Sequence, residues 1–246
     1  MIQAHSSKLP AGSGGSSMRP AGTFGSSPAT ERQPWNEAYP KSNTAIPFCK
    51  VCFDPITDVR WCRAGADSPL CSKCQKAMQP RLRKGRIAGR KLYWLYDYNE
   101  TIRSILYRFK GCGDYELKDA FFANQRWWMR LRFHGYTIVP VPSFGERDAR
   151  RGFNHVRAMF SSLDLPVVDR LVKTADVKQA DLHLLERRKI GRHIRLSNGP
   201  SLEGKKVLLV DDLCTTGSTI RACVSLLDKC HPKKIVVFTM GRTLRD

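Results

Sequence analysis

The chain is predicted to adopt an α/β fold, a mostly parallel sheet flanked by helices, with a small four-cysteine module on its amino-terminal side. Two observations carry this. The run Val207, Leu208, Leu209, Val210 has the length and branched apolar content of a strand buried on both faces. It leads through Asp211, Asp212 and a Thr- and Ser-rich turn into Ile220, Cys223, Val224 and Leu227, the i, i+3, i+4, i+7 stripe of a helix packed on a sheet. The second observation is the spacing C-x2-C, eighteen residues, C-x2-C formed by Cys49, Cys52, Cys71 and Cys74. Two such knuckles suit one tetrahedral ion.

The remaining elements follow in chain order. Residues 1–43 are rich in Gly, Ser, Pro and Ala without apolar periodicity, so they read as a disordered tail. Residues 45–79 make the cysteine module and 80–91 a basic linker, because Arg81, Arg83, Lys84, Arg86 and Arg90 occur there with no acid. Residues 92–246 form the main domain. Within it Leu92–Tyr98 reads as an aromatic strand, and Asn99 caps a helix whose buried stripe is Ile102, Ile105, Leu106 and Phe109 and which Gly111 closes. Arg103, Arg108 and Lys110 on this helix are expected on a solvated face. A strand over Tyr136–Val141, a helix from near Asn154 carrying Val156, Met159, Phe160 and Leu163, and strands over Lys206–Val210 and Lys234–Thr239 complete the reading.

The chain carries 42 Lys and Arg against 22 Asp and Glu, a formal charge of +20, so its partners are expected to be anionic. Nucleic acid, phosphorylated metabolites and an acidic protein surface all satisfy that field. The basic residues crowd into Lys76–Lys91 and Arg187–Arg195. No charged start with an apolar core follows at the amino terminus, and no apolar run approaches the ~18 residues of a membrane span. A cytoplasmic location is expected. Nine cysteines in a reducing compartment favour metal ligation, and a closed four-thiolate shell favours structural zinc, with an iron–sulfur cluster or unliganded buried thiols as the alternatives. Cys62, between the pairs, is the odd one out.

The chemistry concentrates after the buried strand. Asp211 and Asp212 fall at its carboxyl end, where open α/β sheets bind ligands. Two vicinal ribose hydroxyls can donate to such carboxylates, while Thr215, Thr216, Gly217, Ser218 and Thr219 offer hydroxyls, backbone N–H groups and a helix start to a phosphate. The arrangement fits a ribose 5-phosphate group, as in 5-phosphoribosyl-1-pyrophosphate (PRPP). The plain alternative is a strand tipped with acids whose Thr and Ser only cap the next helix. A second loop, Ser143–Gly152, supplies Arg147, Arg150 and Arg151, whose guanidinium groups match phosphate oxygens. Leu171–Leu185, with Lys173, Thr174, Lys178 and Gln179, is a candidate flap by its resemblance to the variable flap of phosphoribosyltransferases, and its lysines are otherwise solvated. No general base is identifiable. His155 reads as a structural hydrogen-bonding residue and Cys214 as small filler.

VLLVDDLCTTGSTI (Val207–Ile220) resembles the PRPP signature of type I phosphoribosyltransferases, and TIVPVPSFGERDARRGFNHV (Thr137–Val156), the paired cysteines and YDYNETIRSILYRFK (Tyr96–Lys110) resemble the competence-associated ComF family. The likeness covers about Phe48 to Arg242. One departure is His155, where the family commonly has Gln. The resemblance implies a type I phosphoribosyltransferase-like fold, PRPP or a related ribose 5-phosphate compound as ligand, Mg²⁺ beside PRPP, and Asp211 and Asp212 as the residues of catalysis. It places Arg147, Arg150 and Arg151 near the pyrophosphate and links the chain to DNA uptake. Two functions remain open: phosphoribosyl transfer to an unidentified nucleophile, with the zinc module as a hood, or a non-catalytic PRPP-responsive protein that engages single-stranded DNA or a competence helicase.

Overall fold

The computed structural model describes residues 47–57, 68–174 and 193–243, all within one compact unit, Ala45–Asp246. In chain order the elements are α1 (Ser72–Met78), β1 (Arg83–Ile87), β2 (Arg90–Asp97), α2 (Glu100–Gly111), a 3₁₀ turn (Tyr115–Ala120), α3 (Arg126–Arg132), β3 (Tyr136–Pro140), α4 (Gly145–Arg151), α5 (His155–Ser161), β4 (Leu171–Lys173), β5 (Ile194–Leu196), β6 (Lys206–Cys214), α6 (Ser218–Asp228) and β7 (Lys234–Arg242). The main sheet has five strands in the order β1-β2-β7-β6-β3. Its β2–β7, β7–β6 and β6–β3 pairs are parallel, and β1 joins antiparallel at the edge. β4 and β5 form a separate antiparallel ribbon.

The period of two along the strands divides the apolar residues between two cores. Leu208 and Val210 of β6, with Val236, Phe238 and Met240 of β7, enter one core with the buried stripes of α2 and α5. Val207 and Leu209, with Ile235 and Val237, face Ile220, Cys223, Val224 and Leu227 of α6 in the other. This is why the strand reads as unbroken hydrophobicity. Phe122, Phe133 and Phe160 surround the Phe238 ring at centroid distances of 5.6–6.0 Å, mostly edge to face. Full burial of each such ring contributes roughly 1.5–3 kcal/mol.

Local signals explain the helices that matter for the site. The Asn99 side chain accepts from Ile102 N at 2.9 Å and starts α2. Gly111 is its last residue and Cys112 its cap, one position beyond the expected stop. Asn154 caps α5 by accepting from Arg157 N at 2.9 Å.

Three expectations need correction. Residues 80–91 are no linker, since most of them build β1 and start β2 through a two-residue turn, Ala88-Gly89, with both φ positive, the hairpin turn that matches strand twist. The sequence showed charge there because an edge strand keeps only Ile87 inside and turns Arg83, Lys84 and Arg86 to solvent, which also blunts edge-to-edge pairing. The arginine loop Ser143–Gly152 contains a short helix, α4, stopped by Gly152 at φ 84°. Nor is the cysteine module a body apart: Cys49, Ile56, Leu70, Cys74 and Met78 belong to the same apolar core as α2 and α5. Lys50 reaches Glu116 and Asp119 at 2.7 and 2.8 Å, and Arg108 donates to Val51 O at 2.6 Å. The tail, Cys62, Lys178, Gln179 and most of the Arg187–Arg195 cluster lie outside the described residues.

Candidate functional site

β6 outlasts its neighbour β3. Their register ends at Pro140 opposite Val210, whereas β6 continues beside β7 as far as Cys214 opposite Arg242. Asp211 and Asp212 therefore stand inside a strand that has lost one partner, and the missing partner opens a cleft of about 530 Å³. Asp211, Asp212, Thr215, Thr216, Gly217, Ser218 and Thr219 all line it, together with Lys110, Val141, Pro142, Lys173 and Thr243. The sequence-predicted acids and turn thus share one space.

The turn is shaped for close approach. Gly217 sits at φ 72° as the N-cap residue of α6, and a Cβ there would lie 2.3 Å from Ile87 Cδ1, so the edge hairpin buttresses the turn. α6 has no side-chain N-cap bond. The Thr216 and Ser218 hydroxyls instead contact each other at 3.1 Å across the turn. Eleven residues of helix add their dipole at this end. The Thr216 hydroxyl also accepts from Ser218 N, the first N–H of α6, at 3.4 Å, so this side chain serves the helix start as well as the turn.

The two carboxylates differ. Alternation turns Asp212 toward α2 and α5, where Lys110 Nζ lies 2.7 Å and His155 Nε2 3.5 Å from its Oδ2. Burial would raise its pKa, but the Lys110 charge and the His155 contact prevail and hold it well below the ordinary carboxylate range. Burial likewise works against the Lys110 ammonium, yet the charge and hydrogen bond of Asp212, with Asp211 behind, keep it above the usual lysine value. Asp211 accepts from Asp212 N at 2.9 Å. Burial and the adjacent Asp212 charge push its pKa well up, the condition of a carboxylate that gains from a cation or a hydroxyl donor. Cys214 is buried at the wall of the cleft, and that burial pushes its thiol up.

Behind Asp212 a polar network fixes the Arg-Gly-Phe-Asn turn. Arg151 donates from Nε to Lys110 O at 2.8 Å and from Nη1 to Asp148 Oδ1 at 3.1 Å. Its Nη1 also meets His155 Nδ1 at 3.1 Å. An arginine can only donate, so Nδ1 accepts and Nε2 carries the proton directed at Asp212. Asn154 Nδ2 donates to Asp148 Oδ2 at 2.8 Å and to Ser143 Oγ at 3.0 Å. Arg147, Arg150 and Arg151, spaced i, i+3, i+4 on α4, line a second hollow of about 490 Å³ with Lys110, Gly111, Cys112 and Gly113.

Lys110 belongs to both hollows, which corrects its placement on a solvated face. Arg108 is corrected too, since it pairs with Asp114 at 2.8 Å and stacks 5.1 Å from the Phe53 ring. Arg103 stays exposed beside Glu100. One-dimensional periodicity places Lys110 off the apolar stripe and stops there. The sequence hint was its position before Gly-Cys-Gly, where a chain can turn back. Lys173, from the candidate flap, lines the first cleft.

The sulfur atoms of Cys49, Cys52, Cys71 and Cys74 lie within 4.8 Å of one another, and Cys52 and Cys71 are 3.6 Å apart. The edge of a tetrahedron with Zn–S bonds of ~2.3 Å is about 3.8 Å, so the donor set fits zinc. Burial works to raise the Cys49 thiol, yet the N–H groups of Cys52, Cys71 and Val51 draw it down to about 7. Burial pushes Cys52 up to about 11 and Cys74 higher still. Four thiolates this close need a cation between them.

A cleft at the carboxyl edge of a mostly parallel sheet, with twin acids and a hydroxyl-rich turn into a helix, defines a type I phosphoribosyltransferase-like protein. The family model described as "Phosphoribosyl transferase domain" matches residues 149–242. The chain is 31% identical over 207 residues to Competence protein ComFC of Bacillus subtilis, covering 79% of this chain and 85% of that protein. It is 33% identical over 230 residues to Competence protein F of Haemophilus influenzae, covering 79% and 90%. The chain belongs to the ComF family. Among solved structures, a phosphoribosylpyrophosphate synthetase from Mycobacterium smegmatis aligns at 19% identity and a TM-score of 0.33, over 53% of this chain and 34% of that one. The match thus spans about a third of the synthetase. Among the described residues no helix is long and apolar enough to cross a membrane.

Proposed function

We propose that the chain binds PRPP in the cleft beside β6, and that it transfers the phosphoribosyl group to an acceptor. The observation that carries this reading is the convergence of Asp211, Asp212 and Thr215–Thr219 on one cleft at the start of α6. Asp211 and Asp212 take the ribose hydroxyls. Thr215, Thr216, Gly217, Ser218 and Thr219 hold the 5-phosphate through N–H and O–H donors, so that binding far from C1 aligns the reacting bond. Arg147, Arg150, Arg151 and Lys110 supply the positive wall for pyrophosphate. The oxygen donors of the acid pair suit Mg²⁺, which when bound neutralises charge on the departing pyrophosphate. The Arg151–His155–Asp212–Lys110 network holds Asp212 ionised and oriented. Cys49, Cys52, Cys71 and Cys74 hold a structural zinc that fastens the amino-terminal segment onto α2.

Calorimetry of the full chain with PRPP and Mg²⁺ tests the reading. Saturable binding is expected, reduced at least tenfold in the Asp211→Asn, Asp212→Asn double variant. No binding to the wild-type chain would refute it. Pyrophosphate release in the presence of fractionated metabolites tests transfer.

A second reading is favoured by the exposed cationic edge strand, Arg81, Arg83, Lys84 and Arg86. In it the chain is a PRPP-responsive zinc protein that uses this edge on single-stranded DNA or a competence helicase and has little turnover.

A further inference from the structure

The five-stranded sheet is closed at one edge and open at the other. Beside β3 runs the segment 166–168, with Ile138 N donating to Pro166 O at 2.7 Å and Val168 N to Ile138 O at 2.9 Å. Among the described residues nothing does the same for β1. Its two-residue turn makes Ile87 and Arg90 the hydrogen-bonded pair that closes the hairpin, and by alternation Gly85 bonds with Leu92 and Arg83 with Trp94. The N–H and C=O groups of Lys84 and Arg86 therefore point away from β2, along the free edge. Their side chains share one face and are both exposed. Opposite Arg86 stands the exposed Lys91, and opposite Lys84 stands Tyr93 with the Arg132 guanidinium 4.8 Å over its ring. Lys84, Arg86, Lys91 and Arg132 thus gather on that face.

We propose that this edge binds an extended acidic segment of another protein, added to the sheet as a further strand with carboxylates at alternate positions set against Lys84 and Arg86. A free ladder repeats its N–H and C=O groups every second residue, about 7 Å, the repeat of an extended peptide. Main-chain bonds then supply affinity, and cross-strand charge pairs choose the sequence. The cations that blunt pairing with neutral edges select an acidic one. A second copy of this chain does not fit, because edge-to-edge pairing would set Lys84 and Arg86 against like charges. A single nucleic-acid strand fits less well than a peptide. It has no ladder of donors and acceptors to offer, and its bases find no open ring on the hairpin: Arg132 lies over Tyr93, Arg242 lies 4.7 Å over the 7% exposed Trp94, and Tyr96 is 2% exposed. A peptide partner here rests on the second reading for the use of this edge, and on nothing in the PRPP cleft.

The test titrates a fluorescein-labelled peptide of alternating Glu and Thr with the full chain and follows anisotropy, with labelled oligothymidine measured in parallel. Saturable peptide binding is expected. Lys84→Gln with Arg86→Gln should weaken it roughly tenfold, and so should N-methylation of the peptide backbone, which keeps the charge and removes the N–H groups. Arg86→Pro, at a position where an edge strand tolerates proline, should weaken it more than Arg86→Gln, because a free N–H is lost along with the charge. Amide exchange at Lys84 and Arg86 should slow when the peptide is added. Absence of peptide binding, equal affinity of the N-methylated peptide, or binding untouched by the double variant would overturn the proposal. Oligothymidine binding that the double variant abolishes, with no peptide binding, would overturn the peptide and keep the second reading. Loss of neither ligand in the double variant would remove this edge from both.

Discussion

Replacing Lys110 by Met should leave the Asp212 carboxylate charged, buried and facing only His155. In the native chain Lys110 Nζ sits 2.7 Å from Asp212 Oδ2, with the two side chains 39% and 12% exposed. Removing one member of a fully buried pair costs about 3–5 kcal/mol. The solvent that reaches Lys110 screens the interaction, and His155 remains, so the expected loss is about 1–3 kcal/mol. For a domain of this size that lowers Tm by roughly 3–10 °C. Asp212→Asn on the Lys110→Met background should restore at least half of the loss, since the stranded charge is then gone, giving a coupling energy of about 1–2 kcal/mol in a thermal-denaturation double-mutant cycle. The pH dependence has a definite sign. The lysine pKa is raised on folding, so its contribution is complete below the usual lysine value of 10.5 and fades as pH rises above it. The carboxylate is lowered, so its contribution is complete above its ordinary 3.8 and fades only as pH falls through a far lower value. The coupling should therefore be level from about pH 5 to 9. Additive single-variant effects, or a Lys110→Met chain as stable as wild type, would refute the argument that α2 and β6 are tied by this charge.

Gly217→Ala should cost about 1–2 kcal/mol from its left-handed backbone alone, and more from the clash with Ile87, and should weaken PRPP binding in calorimetry more than it lowers Tm. Elemental analysis should find one zinc per chain, and Cys74→Ser or a strong chelator should release it and lower the melting temperature, because the module shares its core with α2. If single-stranded DNA binds the edge hairpin, neutralising Arg81, Arg83, Lys84 and Arg86 should reduce the slope of log K against log salt by up to about 3, measured by anisotropy, and an unchanged slope would exclude that edge.

Much of this molecule was legible in one dimension. The unbroken apolar run of β6 identified a strand covered on both faces, the stripes of α2, α5 and α6 identified their inward sides, and paired cysteines at fixed spacing identified four thiols that the fold gathers together, because each depends on local periodicity or on residue type alone. Asp211, Asp212 and the following turn were readable for the same reason, being contiguous. The tertiary structure alone decided what lies opposite them. Lys110 comes from a helix 102 positions away from Asp212, and His155 from a third element, so their pairing depends on how α2 and α5 cross the end of β6. The edge hairpin was hidden because an edge strand buries too few residues to show alternation, and its charges spoke louder than Ile87. The cysteine module looked independent in sequence, but its apolar residues had nowhere to be buried except against α2, and that shared burial makes it part of the same core.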